Sequence, residues 1–575
     1  MKYISKTLIA VFFSFVTSTC TAFITVGTDA DCTYNNFTSA YASGNSEIRV
    51  TTQQSLAPFT INRLITLRGG FANCSDANNG IISADLTQWD GNNNQTVLTL
   101  DMPNNGIVKT VNLYNFKIFN GRNTSFASAG GINVRDFAYL YIHNSLIQSN
   151  VGDEGGGIRL RGQEAKVTLI NTQLKSNTAN SAGGGIYCEN GAEFFLSEES
   201  SVQLNFTSGK GGGIFANDSC SVSLTSGGYN MAGDYSLYGV NYNIAEFGGG
   251  IYAKNSSHIF ASGDFSHPAL ITENFSTNNN IQFYGGGGVF LTGLGTNFVA
   301  FNTYIEGNTA TNSGAGFVVQ NEAELRMVRY SYACWDNDKC SSISNNKLTS
   351  NAGFGGAGVV DNAGVVTISQ SVIANNHGLK SAILHIQDRS SVTLEGNLIT
   401  QNKGIQNGVA QNLFELYATT PLNSSELTTL YNTIVANDAA TIFHLKDNIA
   451  IPFLKVINSI IRDNGTIMLN DNNALTSGLT FDCDFLHENV SLQGTLNKIF
   501  LSPPGFVDAA NGDYHLQRFS NAVDICDESV MASAHTDLNG NQRGFDDLAL
   551  TNLFGAYDVG AYEGQFDVIF KHGFE

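Results

Sequence analysis

The chain has 575 residues, 14% of them charged and 42% hydrophobic, a balance too apolar for intrinsic disorder. Its formal charge of −20 sets the surface as a whole against nucleic acid and anionic lipid. Sixty glycines against seven prolines point to many short strands joined by tight turns.

In chain order, residues 1–22 read as an export signal. Lys2 and Lys6 give a basic start, residues 7–16 an apolar run too short to span a bilayer, and Cys20-Thr21-Ala22 a small-residue cleavage site. Cleavage after Ala22 removes two lysines and takes the charge from −20 to −22. The alternative is lipidation at Cys20, but Thr17 and Thr19 fit such a signal poorly. No later stretch is apolar enough for a transmembrane helix. Residues 23–68 lack the repeats found further on and are expected to form an N-terminal cap, with a short amphipathic helix over 31–41.

A repetitive body over 69–501 follows, opened by Leu67-Arg68-Gly69-Gly70-Phe71. A glycine corner recurs at Gly130-Gly131-Ile132, Gly155-Gly156-Gly157-Ile158, Gly183-Gly184-Gly185-Ile186, Gly211-Gly212-Gly213-Ile214 and Gly248-Gly249-Gly250-Ile251. Looser copies follow at Gly286-Gly287-Gly288-Val289, Gly314-Ala315-Gly316-Phe317 and Gly356-Ala357-Gly358-Val359. The basic step of about 27 residues, with three longer ones, predicts uniform coils carrying insertions. A second motif, aliphatic-x-x-Asn, ends at Asn150, Asn177, Asn205, Asn308, Asn376, Asn402, Asn437 and Asn464. Strands this short bury a face only by stacking, and Asn at one turn of every coil can bond its amide to the coils on either side. The fold expected is all-β: a single-stranded right-handed parallel β-helix of about 15 to 17 coils, on the order of 70–80 Å long. Pro503-Pro504 opens a C-terminal cap over 502–565, and residues 566–575 form a tail, read as a sorting signal or a frayed end.

Eight cysteines remain after cleavage, and an even number in an exported chain favours disulfides. The order-preserving pairing is Cys32–Cys74, Cys188–Cys220, Cys334–Cys340 and Cys483–Cys526, one of 105 possible.

The glycine corners with upstream aliphatic-x-x-Asn resemble the repeats of polymorphic outer membrane proteins over residues 116–360, with Phe275-Ser-Thr-Asn278 the nearest copy. The segments Asp513-Tyr514-His515-Leu516, Asp537-Leu538-Asn539-Gly540-Asn541-Gln542-Arg543 and Asp558-Val559-Gly560-Ala561-Tyr562-Glu563 resemble the close of pectin-lyase-like β-helix proteins of the choice-of-anchor Q type. The resemblance implies a secreted or surface-held bacterial protein. One departure is that the sequence after Glu563 has no room for the β-barrel that ends the first family.

Many β-helix proteins cleave polysaccharides, but neither the signatures of such enzymes nor a serine-nucleophile elbow occurs here. Asp153, Glu154, Arg159, Arg161, Glu164 and Lys166 form the densest charged group and read as a solvated corner. Aligning the coils places Asn133, Arg159, Tyr187, Phe215, Tyr252, Phe290, Val318 and Val360 in an outward row. Tyr187, Phe215, Tyr252 and Phe290, with Trp335 in a nearby insertion, are the candidate ligand-binding residues for a glycan or a cell surface. The alternative is a stacking ladder covered by the insertions. The function expected is an adhesin-like, non-enzymatic binder outside the cell or on its outer membrane. The alternative is a polysaccharide lyase or glycosidase; no cofactor is expected, apart from the calcium that a lyase would hold on its carboxylates.

Overall fold

The computed structural model describes residues 23–564 except 198, 226–237, 264–267, 281, 283, 330–340, 351–352, 421, 447–451, 464–465, 471–477, 488–494 and 528–535; over 466–470 it describes the backbone alone. The export signal, the tail, the Cys334–Cys340 pair and Trp335 lie outside the described residues.

The chain winds as a parallel β-helix. A long sheet of 30 strands, a corner sheet of 14 and a third sheet of 11 run along it. One coil passes through Ile132–Val134 in the corner sheet, Ala138–His143 and Leu146–Gln148 in the long sheet, and Val151–Glu154 in the third; Ile158 then opens the next. Fourteen strands at about 4.8 Å give the corner sheet a length of about 60 Å. Two-residue alternation decides what goes inside: Ala138, Leu140 and Ile142 are buried while Tyr139, Tyr141 and His143 stand half out. Ile132, Ile158, Ile186, Ile214, Ile251, Val289 and Phe317 stack in a wholly buried column. Each such side chain contributes about 1.5–3 kcal/mol.

Glycine is required at the corners for two separate reasons. Gly183 takes φ +67°, and a Cβ on Gly184 would lie 2.5 Å from the Gly212 carbonyl of the next coil. The left-handed glycine also corrects one register. The corner after Phe317 begins at Gly355 (φ +66°), a residue earlier than its spelling suggests. Gly358 therefore pairs with Phe317 and Val359 with Val318. Val359 takes the outward place expected for Val360, and Val360 joins the core.

At the turn after the long sheet, buried asparagines form a continuous ladder. Asn150 donates Nδ2–H to Asn177 Oδ1 at 3.0 Å, and the same bond repeats through Asn205, Asn243, Asn274, Asn308, Asn346, Asn376, Asn402 and Asn437. Each backbone N–H donates to the same oxygen; Asn150 N does so at 3.1 Å. Gly121 N opens the ladder and Asp463 closes it, accepting from Asn437 Nδ2 at 2.6 Å. Asp463 holds the ladder place expected of Asn464. Asn278, read as a repeat position, bonds within its own loop, and Asn274 stands in the ladder instead. A second row, at the turn inside the long sheet, also ends on an acid. Ser459 N donates to Asp484 Oδ1 at 2.8 Å, and burial pushes that carboxyl well above the usual range.

The N-terminal helix is shorter than expected, Phe37–Ala42 capped by Asn36, and a second helix spans Cys74–Asn79. The disulfides Cys32–Cys74, Cys188–Cys220 and Cys483–Cys526 are formed. No described helix is long and apolar enough to cross a membrane.

The C-terminal segment, from residue 502 on, lies along the flank of the long sheet. Gln370 Nε2 donates to the Thr536 and Asp537 carbonyls at 2.7 and 2.8 Å, and Arg329 holds the carbonyls of Leu538 and Asn539. Thr433 Oγ1 accepts from Ala561 N, the Arg543 guanidinium lies 4.3 Å from the Tyr431 ring, and Leu398 and Val435 pack under Leu538 and Tyr562. The segment has little regular structure, so buried carboxylates take its backbone N–H groups. Asp537 accepts from Asn541 and Glu563, Asp558 from Asp524 and Gly564, and Glu563 from Gly544 and Phe545.

Candidate binding face

The four predicted rings fall in one register, Tyr187 beside Phe215, Phe215 beside Tyr252 and Tyr252 beside Phe290. They stack with centroids 5.0, 5.6 and 4.8 Å apart. They are not open to a ligand. Tyr187 is 7% exposed and Phe215 4%, and Ala182, Phe247 and Tyr284 pack over the row. Lys210 and Lys254 add cations over Tyr252 and Phe215. The expectation of an exposed strip is thus corrected: the row is a covered stacking ladder. The sequence held a signal for the cover. Phe247 directly precedes one corner and Tyr284 stands just before another, and the residue entering a corner lies over the outward row.

The same row runs on where the glycines fade. Past Val318 and Val359 come His385, Glu415 and His444 in direct register. His385 and Glu415 are buried. His385 Nδ1 lies 3.1 Å from Glu415 Oε2, its Nε2 lies 2.9 Å from Gln387 Oε1, and Glu415 Oε1 lies 3.9 Å from His444 Nδ1. Burial pulls the imidazole pKa down, but the Glu415 bond and charge outweigh it and hold it above the ordinary value. Burial likewise pushes Glu415 up, and the His385 bond and charge bring it below the ordinary value. Both ring nitrogens meet acceptors, the arrangement of an imidazolium clamped between a carboxylate and an amide oxygen.

The charged group at 153–166 is also less solvated than expected. Asp153 accepts from Ala127 N and Ser181 Oγ. Arg159 is buried between Glu154 (3.0 Å) and Glu189 (2.7 Å). Arg161 and Glu164 do stay in solvent, and they open a different feature. No protein-family model matches the chain, and the comparison with curated proteins finds no match.

That feature is a groove of about 630 Å³ along the turns between the corner sheet and the long sheet, lined by Asp136, Phe137, Arg161, Gln163, Glu164 and Asp218 among others. Gly162, at φ +110°, makes room for it: a Cβ there would meet the Asp136 carboxylate. The long-sheet strands that follow these turns, Ala138–His143 and Glu193–Ser197, carry Tyr139, Tyr141 and Phe195, each half-buried. Burial and the carboxylates of Glu164, which lines the groove, and of Glu193 raise the Tyr139 pKa. Lys166 Nζ sits 4.0 Å from the Phe195 ring centre. Half-buried rings on the strands that leave a turn of convergent polar groups make a surface suited to sugars. Corner alignment missed these residues, although the alternation in Ala138-Tyr139-Leu140-Tyr141-Ile142-His143 already turns both tyrosines outward.

Proposed function

We propose that this protein is a non-catalytic, adhesin-like binder of carbohydrate chains, exported and acting on or outside the cell surface. The observation that carries the reading is that the long-sheet strands leaving the polar groove of Asp136, Arg161, Gln163 and Glu164 carry the half-buried rings Tyr139, Tyr141 and Phe195. A sugar ring packs its apolar face on an aromatic ring while its hydroxyls bond to the charged and amide groups beside it. The disulfides suit an oxidising compartment, and the likeness to pectin-lyase-like surface proteins accords with display outside the cell. A glycan array probed with wild type and with Tyr141→Ala/Phe195→Ala tests this. The wild type is expected to bind and the variant to lose about tenfold or more in affinity. Equal binding by both removes the groove from consideration. A cleaving reading draws on Asp136, Glu164 and Asp218 in the same groove. Reducing-sugar and unsaturated-product assays decide between the two, since turnover overturns the non-catalytic reading.

A further inference from the structure

The third sheet carries a second row, remote in the coil from the groove. Its outward residues in successive coils are Phe206, Ile244 and Phe275, then Thr309, then Lys347, His377 and Lys403, each paired directly with the next. Phe206, Lys347 and Lys403 are exposed; Ile244, Phe275 and His377 are half-buried. Two positions before each cation, a turn residue with positive φ (Asn345, Asn375, Gln401) holds an exposed amide. Among the described residues no ion pair engages either lysine. Glu273 senses the Lys347 charge without closing an ion pair, and Asp438 follows Lys403 in the row. Burial and then the charges of Lys403 and Lys347 hold the His377 pKa below its ordinary value, which favours an uncharged imidazole, still able to donate a hydrogen bond, between the two ammonium groups.

A chain of net charge −20 thus lines up three basic side chains with no carboxylate in contact. Coil spacing of about 4.8 Å puts them along a line of about 10 Å. Exposed Asp438 ends the basic row in register beyond Lys403, and exposed Glu246 and Glu273 stand at its aromatic end, so the positive potential spans only the three coils between. A strip of that shape fits one linear chain; the broad anionic plane of a membrane or a nucleic-acid duplex would meet the acidic ends. The aromatic half of the row continues in line with the cations and offers rings to stack on. We infer that this row is a second binding surface, taking a linear glycan that bears sulfate or carboxylate groups, with its anions on Lys347, His377 and Lys403 and its sugar faces on Phe275 and Phe206.

Titration calorimetry on the full protein tests this with a sulfated polysaccharide, a polyuronate and a neutral polysaccharide of similar length, at low and high salt. At least one anionic polymer is expected to bind in a salt-sensitive manner, the two anionic arms distinguishing sulfate from carboxylate. Lys347→Ala/Lys403→Ala is expected to weaken that binding about tenfold or more, while the groove variant Tyr141→Ala/Phe195→Ala leaves it unchanged. Both lysines are exposed, so the double variant retains the fold, checked by circular dichroism. The inference is overturned if the double variant binds like wild type, if the groove variant alone abolishes binding, or if neither anionic polymer binds. It is equally overturned if duplex DNA or anionic vesicles bind through the same lysines as well as the glycans do. Loss of a neutral glycan in the groove variant bears on the groove alone.

Discussion

His385 and Glu415 show how a buried charge is tolerated in this stack. Each is costly alone, and their bond across adjacent coils offsets the burial of both. The histidine is raised from 6.5, so its contribution is full below that pH and is lost as pH rises through the folded-state value. The carboxylate is lowered from 4.5, so its contribution is present above that pH and is lost as pH falls through its folded-state value. The pair therefore stabilises most between pH 4.5 and 6.5. Glu415→Ala is expected to cost about 3–5 kcal/mol, because it leaves a buried histidine without its carboxylate. Urea titrations at pH 6 measure this; an unchanged midpoint would show that the pair carries no ionic bond. Nothing in the sequence announced these residues, since the histidine and glutamate lie 30 positions apart and meet only because the coil closes on itself.

The C-terminal segment is held by acids rather than by strands, and that gives it a pH dependence of its own. Burial, then the charges of Asp546 and Asp547, pushes Asp524 up to about 6. Burial, with the charge of Asp524, raises Asp558, and burial with the charge of Asp558 raises Glu563, both against the opposing Arg543. An acid raised in the folded state stabilises below its unfolded value, near 4, and that stability is lost as pH rises through the folded-state value. The segment should dock more firmly at pH 5 than at pH 8. Hydrogen-exchange protection factors at the Asp524 and Asp558 amides, corrected for intrinsic rates, are expected to fall across that interval; a flat profile would contradict the assignment. Turn chemistry made the glycine corners readable, and an aromatic residue ahead of a corner could have been read as a lid. The docking of residues 502 onward along a flank was not readable, because it depends on Arg329 and Gln370 meeting carbonyls about 170 to 210 positions away.

The repeats made the stacking legible from spacing alone, because a strand of three to six residues has no other way to bury its inner side. The register of the four aromatic residues was legible too, but their burial needed one more step: the residue entering each corner, Phe247 or Tyr284, had to be read as lying over the outward row. The asparagine ladder joins these levels. Asn274→Ala removes the acceptor for Asn243 N and Nδ2 and strands buried donors, at about 1–3 kcal/mol for each group left unpaired. Because coils support only their neighbours, amide protection is expected to drop around coils 240–310 and to hold at both ends. A uniform drop along the rod would show that the ladder is not a local support.

The ladder also has a direction. Every asparagine donates its backbone N–H and one amide hydrogen to the coil made after it, its other amide hydrogen going back to a carbonyl of the coil before, and the last recipient, Asp463, is an acceptor with no side-chain amide to place. A nascent chain emerging from its N-terminus therefore always ends in a rung with unfilled donors, until the aspartate arrives and terminates the zipper. Duplicating an inner rung would leave that polarity intact, whereas cutting the gene before codon 463 would leave an open, adhesive terminus.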